Sequence, residues 1–191
     1  KSVQHGLLAE GYAQSALARL LRRLTTFDKP LVAAVHGLAI GGGTTLLLHC
    51  DFVYAAEGTR FQMPFAKLGL VPEFGSSYLL PLSAGMRLAS ELVLLGEPFD
   101  AATALRAGLL TAVVPAEGLM ARARQTADAL AQMAPGPMAR SKRLLRQGHQ
   151  AALEATFAAE GQALQESVQS PELAEAVSAF LAKRAPDFSR F

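Results

Sequence analysis

The segment 31–55 constrains the fold most, because two short apolar runs enclose a glycine-rich turn and an apolar helix. The first run, Leu31 to Val35, is too short for a core helix and suits a strand buried on both faces. A turn over 37–43 follows, then a predicted buried helix over Thr44 to Cys50 and a second strand over Phe52 to Ala55. Strand, turn, helix and strand within about 25 residues predict a compact βαβ unit in an α/β fold.

Helical periodicity is predicted on both sides of this unit. Apolar residues recur at helical spacing from Leu7 to Leu24, and Pro30 follows the end of that helix. The chain is loop-like from Gly69 to Ser77. Beyond it the pattern predicts helices over 78–83, 87–95 and 101–107, a strand over 111–114, and a mostly helical part over 116–183 with breaks at 134–137 and near 170–171. We find no internal repeat at a fixed period.

The length of 191 residues, 51% of them hydrophobic, indicates one main domain with a sizeable core. The break near Pro135 predicts a boundary between a core part, residues 1–134, and a helical C-terminal part, residues 135–191. The chain starts at Lys1 without an initiator Met, and its first residues look like the end of a loop that leads into a helix. We therefore expect that the N-terminal part of the fold is missing from this sequence.

The composition excludes several classes of function. Basic and acidic residues number 18 and 16 and are interspersed, which disfavours a nucleic-acid partner. No apolar run reaches the roughly 18 residues that cross a bilayer, so no membrane partner is expected. The single Cys50 excludes an internal disulfide and fits a reducing compartment. The C-terminal Ser-Arg-Phe is not a Ser-Lys-Leu address, and we expect a cytoplasmic protein.

The four histidines, His5, His36, His49 and His149, lack the spacing that brings two ligands onto one helix face, so no metal site is predicted. For His36, at the end of the first strand, and His49, in the apolar helix, we predict hydrogen-bonded structural roles.

Charged residues elsewhere are given structural interpretations. Arg140, Lys142, Arg143 and Arg146 occupy neighbouring positions of one predicted helix, which indicates a solvated helix face, with contact to a phosphorylated ligand as the alternative. Asp51 stands at a helix-to-strand junction, where we expect its carboxylate to accept hydrogen bonds from backbone N–H groups.

Three consecutive glycines, Gly41, Gly42 and Gly43, stand where the predicted turn meets the helix. Glycine lets the backbone approach a ligand without a Cβ, and it tolerates positive φ. The first N–H groups of a helix have no partner within it, so they can donate to a polarised oxygen. Tight packing of helix against strand also selects glycine, and the run alone does not decide between the two readings.

The flanking residues resemble the crotonase (enoyl-CoA hydratase/isomerase) superfamily. The resemblance is carried by the segment from Lys29 to Gly43, Cys50-Asp51, Phe61, Pro64, Leu68 to Pro72, Leu94-Leu95-Gly96, Ala104 to Leu109 and the tail from Phe180 to Phe188. It implies a crotonase-like spiral of stacked ββα units with a helical C-terminal trimerisation region, in a trimer or a dimer of trimers. It also implies an acyl-CoA thioester as ligand, so that coenzyme A is part of the substrate and no separate cofactor is expected.

The resemblance also implies roles for single residues. Gly42 would donate one of two backbone hydrogen bonds to the thioester oxygen, with Gly41 and Gly43 beside the substrate. The second donor belongs to a turn that we do not find in this chain. Phe180 and Lys183 would approach the adenine and phosphates of coenzyme A, although packing and a solvated charge explain them equally well.

The reaction depends on three positions. Hydratases of this superfamily carry glutamates where this chain has Thr45 and Phe65, so hydration is disfavoured. Glu73, in Pro72-Glu-Phe-Gly-Ser-Ser, stands where hydratases commonly have glycine, and this arrangement resembles the peroxisomal-type Δ3,Δ2-enoyl-CoA isomerases, in which this glutamate is the sole acid/base residue. For Ser76 and Ser77, at the start of a helix, N-capping is the expected role.

These observations predict that Glu73 moves a proton within a 3-enoyl-CoA while Phe65 and Leu70 form an apolar wall that excludes water. Two alternatives remain. One is a non-catalytic module of the same fold that binds acyl-CoA or a protein. The other is a hydratase or thioester hydrolase in which Glu73 activates water.

Overall fold

A computed structural model of the chain describes residues 15–191 and shows two three-stranded sheets with helices around them. The first helix described, α1, spans Ala16–Thr26 and begins at its N-cap Ser15, whose side chain accepts a hydrogen bond from the N–H of Ala18. The predicted start of this helix at Leu7, and His5, lie outside the described residues.

The strands in the described residues are short. They are β1 (Val32–Val35), β2 (Leu38–Ile40), β3 (Phe52–Ala56), β4 (Arg60–Gln62), β5 (Phe99–Asp100) and β6 (Ala112–Val114). One sheet has the order β1-β3-β6 and is parallel throughout. The other has the order β2-β4-β5, with β2 and β4 parallel and β5 antiparallel to β4.

Two pairs of consecutive strands, first β1 and β2 and then β3 and β4, each contribute one strand to either sheet. β1 and β2 are followed by a helical turn, and β3 and β4 then stack beside them, so that Val32 pairs with Phe52 and Leu38 with Arg60. The pairing of β1 with β3 confirms the predicted βαβ unit. The second sheet was not predicted, because its strands are two or three residues long and β2 lies inside the expected glycine turn.

Helices account for most of the remaining chain. The turn after β2 is α2 (Gly42–Thr45) followed by a 3-10 turn (Leu46–His49), where one continuous buried helix was predicted. The others are α3 (Ser76–Ala84), α4 (Met86–Ser90) with a π-helical continuation (Glu91–Leu95), α5 (Ala101–Arg106), α6 (Leu119–Ala131), α7 (Pro135–Gln147), α8 (Gln150–Val168) and α9 (Pro171–Leu181), with 3-10 turns at Ala66–Leu68 and Ala116–Gly118.

The predicted helical C-terminal part and its breaks are confirmed, since α7 begins at Pro135 and α9 at Pro171. The division of the chain into two domains at residue 135 stays a prediction. Within residues 15–191, no helix combines the length and apolar character needed to cross a membrane.

The main core contains side chains from both sheets and from the helices that follow them. Phe61, Met63 and Leu80 are completely buried in it, and the rings of Phe61 and Phe99 stack with centroids 5.7 Å apart. A smaller cluster joins Tyr54 to α6 on the other face of the parallel sheet. These apolar contacts hold the turn after β2 and the loop before α3 against each other.

The basic residues of α7 do not form the solvated face that was predicted. Lys142 is buried, and its Nζ donates to Asp51 Oδ2 at 2.7 Å and to the carbonyl of Lys29 at 2.6 Å. Arg146 donates to Asp51 Oδ1 at 2.8 Å and to the carbonyl of His49 at 2.8 Å. The prediction is wrong for these two residues because the partly buried carboxylate of Asp51 needs partners, whereas Arg140 and Arg143 are exposed as expected.

Asp51 has the predicted role as well. Its Oδ2 accepts a hydrogen bond from the N–H of Leu31 at 2.7 Å. This one carboxylate therefore links the start of β1, the turn before β3 and α7.

Candidate active site

The glycine run lies where β2 turns into α2. Gly41 has φ +55° and ψ −122°, a conformation that side chains disfavour, and its N–H donates to the carbonyl of Gln62 at 2.9 Å. The carbonyl of Gly41 accepts from the N–H groups of Thr44 at 2.8 Å and Thr45 at 3.0 Å. The first glycine therefore makes the turn and anchors it to β4.

The next two glycines present free donors. The N–H groups of Gly42 and Gly43 have no acceptor within residues 15–191, because they occupy the first two positions of α2. Gly42 is half-buried and Gly43 exposed. Both N–H groups can donate to an oxygen of a bound molecule.

The carboxyl of Glu73 lies directly against Gly42. A Cβ at position 42 would be 3.3 Å from Glu73 Oε1 and 3.7 Å from the ring carbon Cε2 of Phe74. Thr45, fully buried, donates its hydroxyl hydrogen to Glu73 Oε1 at 2.8 Å, while Oε2 accepts no hydrogen bond from the described residues. The structure therefore brings together Gly42, Thr45 and Glu73, which are separated by up to 31 positions in the sequence.

Burial controls the ionisation of this carboxyl. The side chain of Glu73 is 8% exposed, and burial raises its pKa from 4.5 to about 7. The hydrogen bond from Thr45 favours the ionised form and lowers the pKa, whereas the negative charge of Glu160 raises it. A carboxyl with a pKa near neutrality can both accept and return a proton.

The backbone after Glu73 has an unusual shape. Phe74 and Gly75 both have positive φ, +60° and +68°. The carbonyl of Phe74 contacts Nε2 of His49 at 2.6 Å, and the N–H of Gly75 donates to Oε2 of Glu160 at 2.7 Å. The structural role predicted for His49 is thus confirmed, and burial lowers its pKa. His36 is exposed, and its ring forms no hydrogen bond within residues 15–191, so the structure does not support the hydrogen-bonded role predicted for it.

The start of α3 is capped from a distant helix. Gly75 is the N-cap residue of α3, and no serine side chain caps it. Glu160 Oε1 accepts from the N–H of Ser77 at 2.9 Å and from its hydroxyl at 2.6 Å. The capping role predicted for Ser76 and Ser77 is therefore wrong, and the Ser76 hydroxyl is buried without a partner among the described residues.

Glu160 was missed because it lies 85 residues from Gly75 in the sequence. The available signal was an acidic residue within the small-residue run Ala158-Ala159-Glu160-Gly161 of a helix. Such a position is suited to burial, and a buried carboxylate requires donors.

The remaining predicted site residues lie at separate places. Phe65 is buried in the main core, and Leu70 packs against this core. Their role as an apolar wall beside the substrate stays a prediction. Phe180, near the end of α9, is 78% exposed, and Lys183 just beyond it is exposed with φ +54°. Within the described residues, no group of three or more His, Cys, Asp or Glu side chains is arranged to hold a metal ion.

Comparison with known proteins identifies the family of this chain. The family model described as "Enoyl-CoA hydratase/isomerase" matches residues 2–190. A 2,3-dehydroadipyl-CoA hydratase of Escherichia coli K12 is 41% identical over 89% of this chain and 67% of its own length. A 1,2-epoxyphenylacetyl-CoA isomerase of the same organism is 38% identical over 89% of this chain and 65% of its own length.

A solved structure shares the fold closely. The enoyl-CoA hydratase/isomerase from Pseudoalteromonas atlantica T6c superposes with a TM-score of 0.88 at 43% identity, covering 92% of this chain and 70% of that one. The chain thus spans about two thirds of the length of the relatives it matches. Hydratases and an isomerase both match, so the comparisons do not separate the two reactions. The chain belongs to the enoyl-CoA hydratase/isomerase family and has the crotonase fold.

Proposed function

We propose that this chain acts as an enoyl-CoA isomerase that moves the double bond of a 3-enoyl-CoA to the 2-position. The observation that carries the proposal is the Glu73 carboxyl, buried against Gly42 and hydrogen-bonded to Thr45. Positions 45 and 65, where the sequence resemblance places the hydratase glutamates, hold a hydroxyl and a phenyl ring. One carboxyl is enough to move a proton within one substrate.

The reaction needs few groups. The ionised Glu73 takes a proton from C2 of the 3-enoyl thioester, and the electron pair left behind spreads over the two carbon–carbon bonds and the thioester oxygen as a dienolate. The N–H of Gly42 donates to that oxygen, together with a second donor from outside the described residues. The protonated Glu73 then returns the proton to C4, which leaves the double bond at C2 and restores the carboxylate.

Hydration of a 2-enoyl-CoA is a second candidate. It is favoured by the relative that is 41% identical and is named a hydratase. In this reaction the Thr45 hydroxyl and the Glu73 carboxylate would hold a water molecule. The site then has one carboxylate for both activating the water and delivering the proton.

The test compares isomerisation of 3-enoyl-CoA with hydration of 2-enoyl-CoA on the full-length protein. Glu73→Gln keeps the size and the acceptor for Thr45 but cannot take a proton, so we expect isomerisation to fall about 100-fold or more. Glu117→Gln, at an exposed site, is the matched control. Hydration faster than isomerisation would replace the first candidate by the second, and coenzyme A binding without turnover would point to a non-catalytic module.

The pH dependence gives an independent check. The base must be ionised, and its pKa is raised to about 7. We therefore expect kcat/KM for isomerisation to rise with pH through about 7 and to level off above it. Activity that remains constant between pH 5 and 8 would contradict the role of Glu73.

We further propose that Phe180 and Lys183 contact the adenine and phosphates of coenzyme A from a neighbouring subunit of a cytoplasmic trimer or dimer of trimers. Their exposure at the end of α9 supports this. Coenzyme A affinity should fall in Lys183→Ala, and light scattering measures the oligomeric state. Unchanged affinity would remove Lys183 from the site.

A further inference from the structure

One peptide group beside the proposed base is held from both sides. The carbonyl of Phe74 and the N–H of Gly75 belong to the same planar unit. His49 contacts the carbonyl at 2.6 Å and Glu160 accepts from the N–H at 2.7 Å. Because a carbonyl oxygen can only accept, Nε2 of His49 carries the hydrogen. The orientation of this peptide is therefore fixed by side chains of two elements, the 3-10 turn after α2 and α8.

The backbone would not keep this orientation by itself. Phe74 has a φ of +60°, in the left-handed region that residues with a Cβ disfavour. Since Glu73 immediately precedes Phe74, a rotation of this peptide displaces the Glu73 carboxyl from Gly42. Glu160 opposes such a rotation through three hydrogen bonds, two to Ser77 and one to Gly75.

Glu160 is itself an uncommon residue at this place. It is 6% exposed, and it forms no ion pair with any of the described residues. Burial raises its pKa, while its bonds from Ser77 and Gly75 lower it. A buried carboxylate without a counter-charge costs stability, and its oxygens here accept three hydrogen bonds from the loop that follows Glu73.

We propose that Glu160 is a positioning residue, which fixes the Glu73 carboxyl against Gly42 by holding the backbone from Phe74 to Ser77. The inference rests on the proposed function in giving Glu73 the proton transfer. Glu160 is buried and contacts the loop at Gly75 and Ser77. It acts on the reaction through the loop, and its negative charge raises the pKa of Glu73.

The test uses Glu160→Gln in the full-length protein. Gly75 donates to Oε2 of Glu160 and Ser77 donates to Oε1, so a glutamine in the same position puts an NH₂ group, which cannot accept, in place of one of these two oxygens. We expect kcat for 3-enoyl-CoA to fall about 10- to 100-fold, as misplacement of a reacting group by about 1 Å does, with KM changed by less than about threefold. Glu166→Gln, which removes an exposed carboxylate from the same helix, should behave as the wild type.

A second readout does not depend on turnover. The groups that act on the Glu73 carboxyl are Thr45 and Glu160. Titration of the Glu73 carboxyl by carbon-13 NMR should show a lower pKa in Glu160→Gln than in the wild type, because a negative charge is removed. Amide exchange at Gly75 should also become faster.

The outcomes are distinct. A folded Glu160→Gln protein with the wild-type kcat and the wild-type pKa of Glu73 overturns the proposal, even where its stability is lower. A wild-type protein without isomerase activity refutes the proposed function instead, and amide exchange at Gly75 in Glu160→Gln still decides whether Glu160 holds this loop. Where Glu160→Gln does not fold, Ser77→Ala removes one of the three donors, and unchanged kcat and Gly75 exchange in it overturn the proposal.

Discussion

Replacement of Glu73 by Gln should make the protein more stable at alkaline pH. Burial raises the pKa of this carboxyl from 4.5 to about 7, so the folded protein holds a proton that the unfolded chain has released. The free energy of unfolding therefore falls as pH rises from 4.5 to 7. Glutamine has the same shape and can still accept from Thr45, but carries no charge.

The size of the effect follows from the pKa. Each unit of difference between the pKa in the folded and in the unfolded protein changes the free energy of unfolding by about 1.4 kcal/mol. A rise in pKa from 4.5 to about 7 therefore amounts to about 3 kcal/mol as an upper value. Below pH 4.5 the carboxyl is neutral in the folded and the unfolded protein, so it does not lower the stability of the wild type. The stability gained by Glu73→Gln should grow between these pH values and be constant above about pH 8.

Urea unfolding of both proteins at pH 4.5, 6 and 8, at one protein concentration, measures this difference. All other titrating groups are common to the two proteins. The substitution also removes the repulsion between Glu160 and Glu73, but this repulsion is one of the causes of the raised pKa of Glu73. A difference in unfolding free energy that does not change with pH would refute the reasoning, since it would mean that the carboxyl of Glu73 has an ordinary pKa.

Two further predictions concern stability and are measured by urea unfolding. Gly75→Ala should cost about 2 kcal/mol or more, because at a φ of +68° its Cβ would lie 2.5 Å from a side-chain carbon of α8. Gly58→Ala, with a φ of +79° and open space around it, should cost only about 1 kcal/mol. Equal losses of stability in the two variants would contradict the packing argument. Lys142→Met should cost about 3 kcal/mol by leaving the Asp51 carboxylate short of a partner, while Arg143→Met, at an exposed site, should cost less than about 0.5 kcal/mol. A Lys142→Met protein as stable as Arg143→Met would show that Arg146 alone satisfies Asp51.

The local part of this structure could be predicted from the sequence. The apolar runs of β1 and β3 and the glycines between them determine a βαβ unit through burial and turn geometry alone. The breaks at Pro135 and Pro171 likewise mark helix starts, because proline is compatible with the first turn of a helix. In the site, Gly42 and Glu73 could be identified as candidates since each belongs to a recognisable short segment.

The remainder depends on distant partners. The sequence shows no repeat that would predict the pairing of β2 with β4. Paired residues are 20 positions apart in the first sheet and 22 in the second, as Val32↔Phe52 and Leu38↔Arg60 show, so the two pairings do not share one period. The burial of Lys142 depends on Asp51, 91 residues away. Charges of this kind look solvated in a helical pattern, and only the folded chain shows which carboxylate they meet.

The hydrogen bonds from Gly75 and Ser77 to Glu160 also set an order of events during synthesis. Gly75 leaves the ribosome 85 residues ahead of Glu160, an interval of roughly 4–17 s at the usual rate of elongation. Until α8 arrives, the loop that bears Glu73 lacks its cap. The loop that bears the proposed acid/base group therefore receives these hydrogen bonds only after α8 has been made, and a nascent chain or a fragment that ends before α8 lacks them.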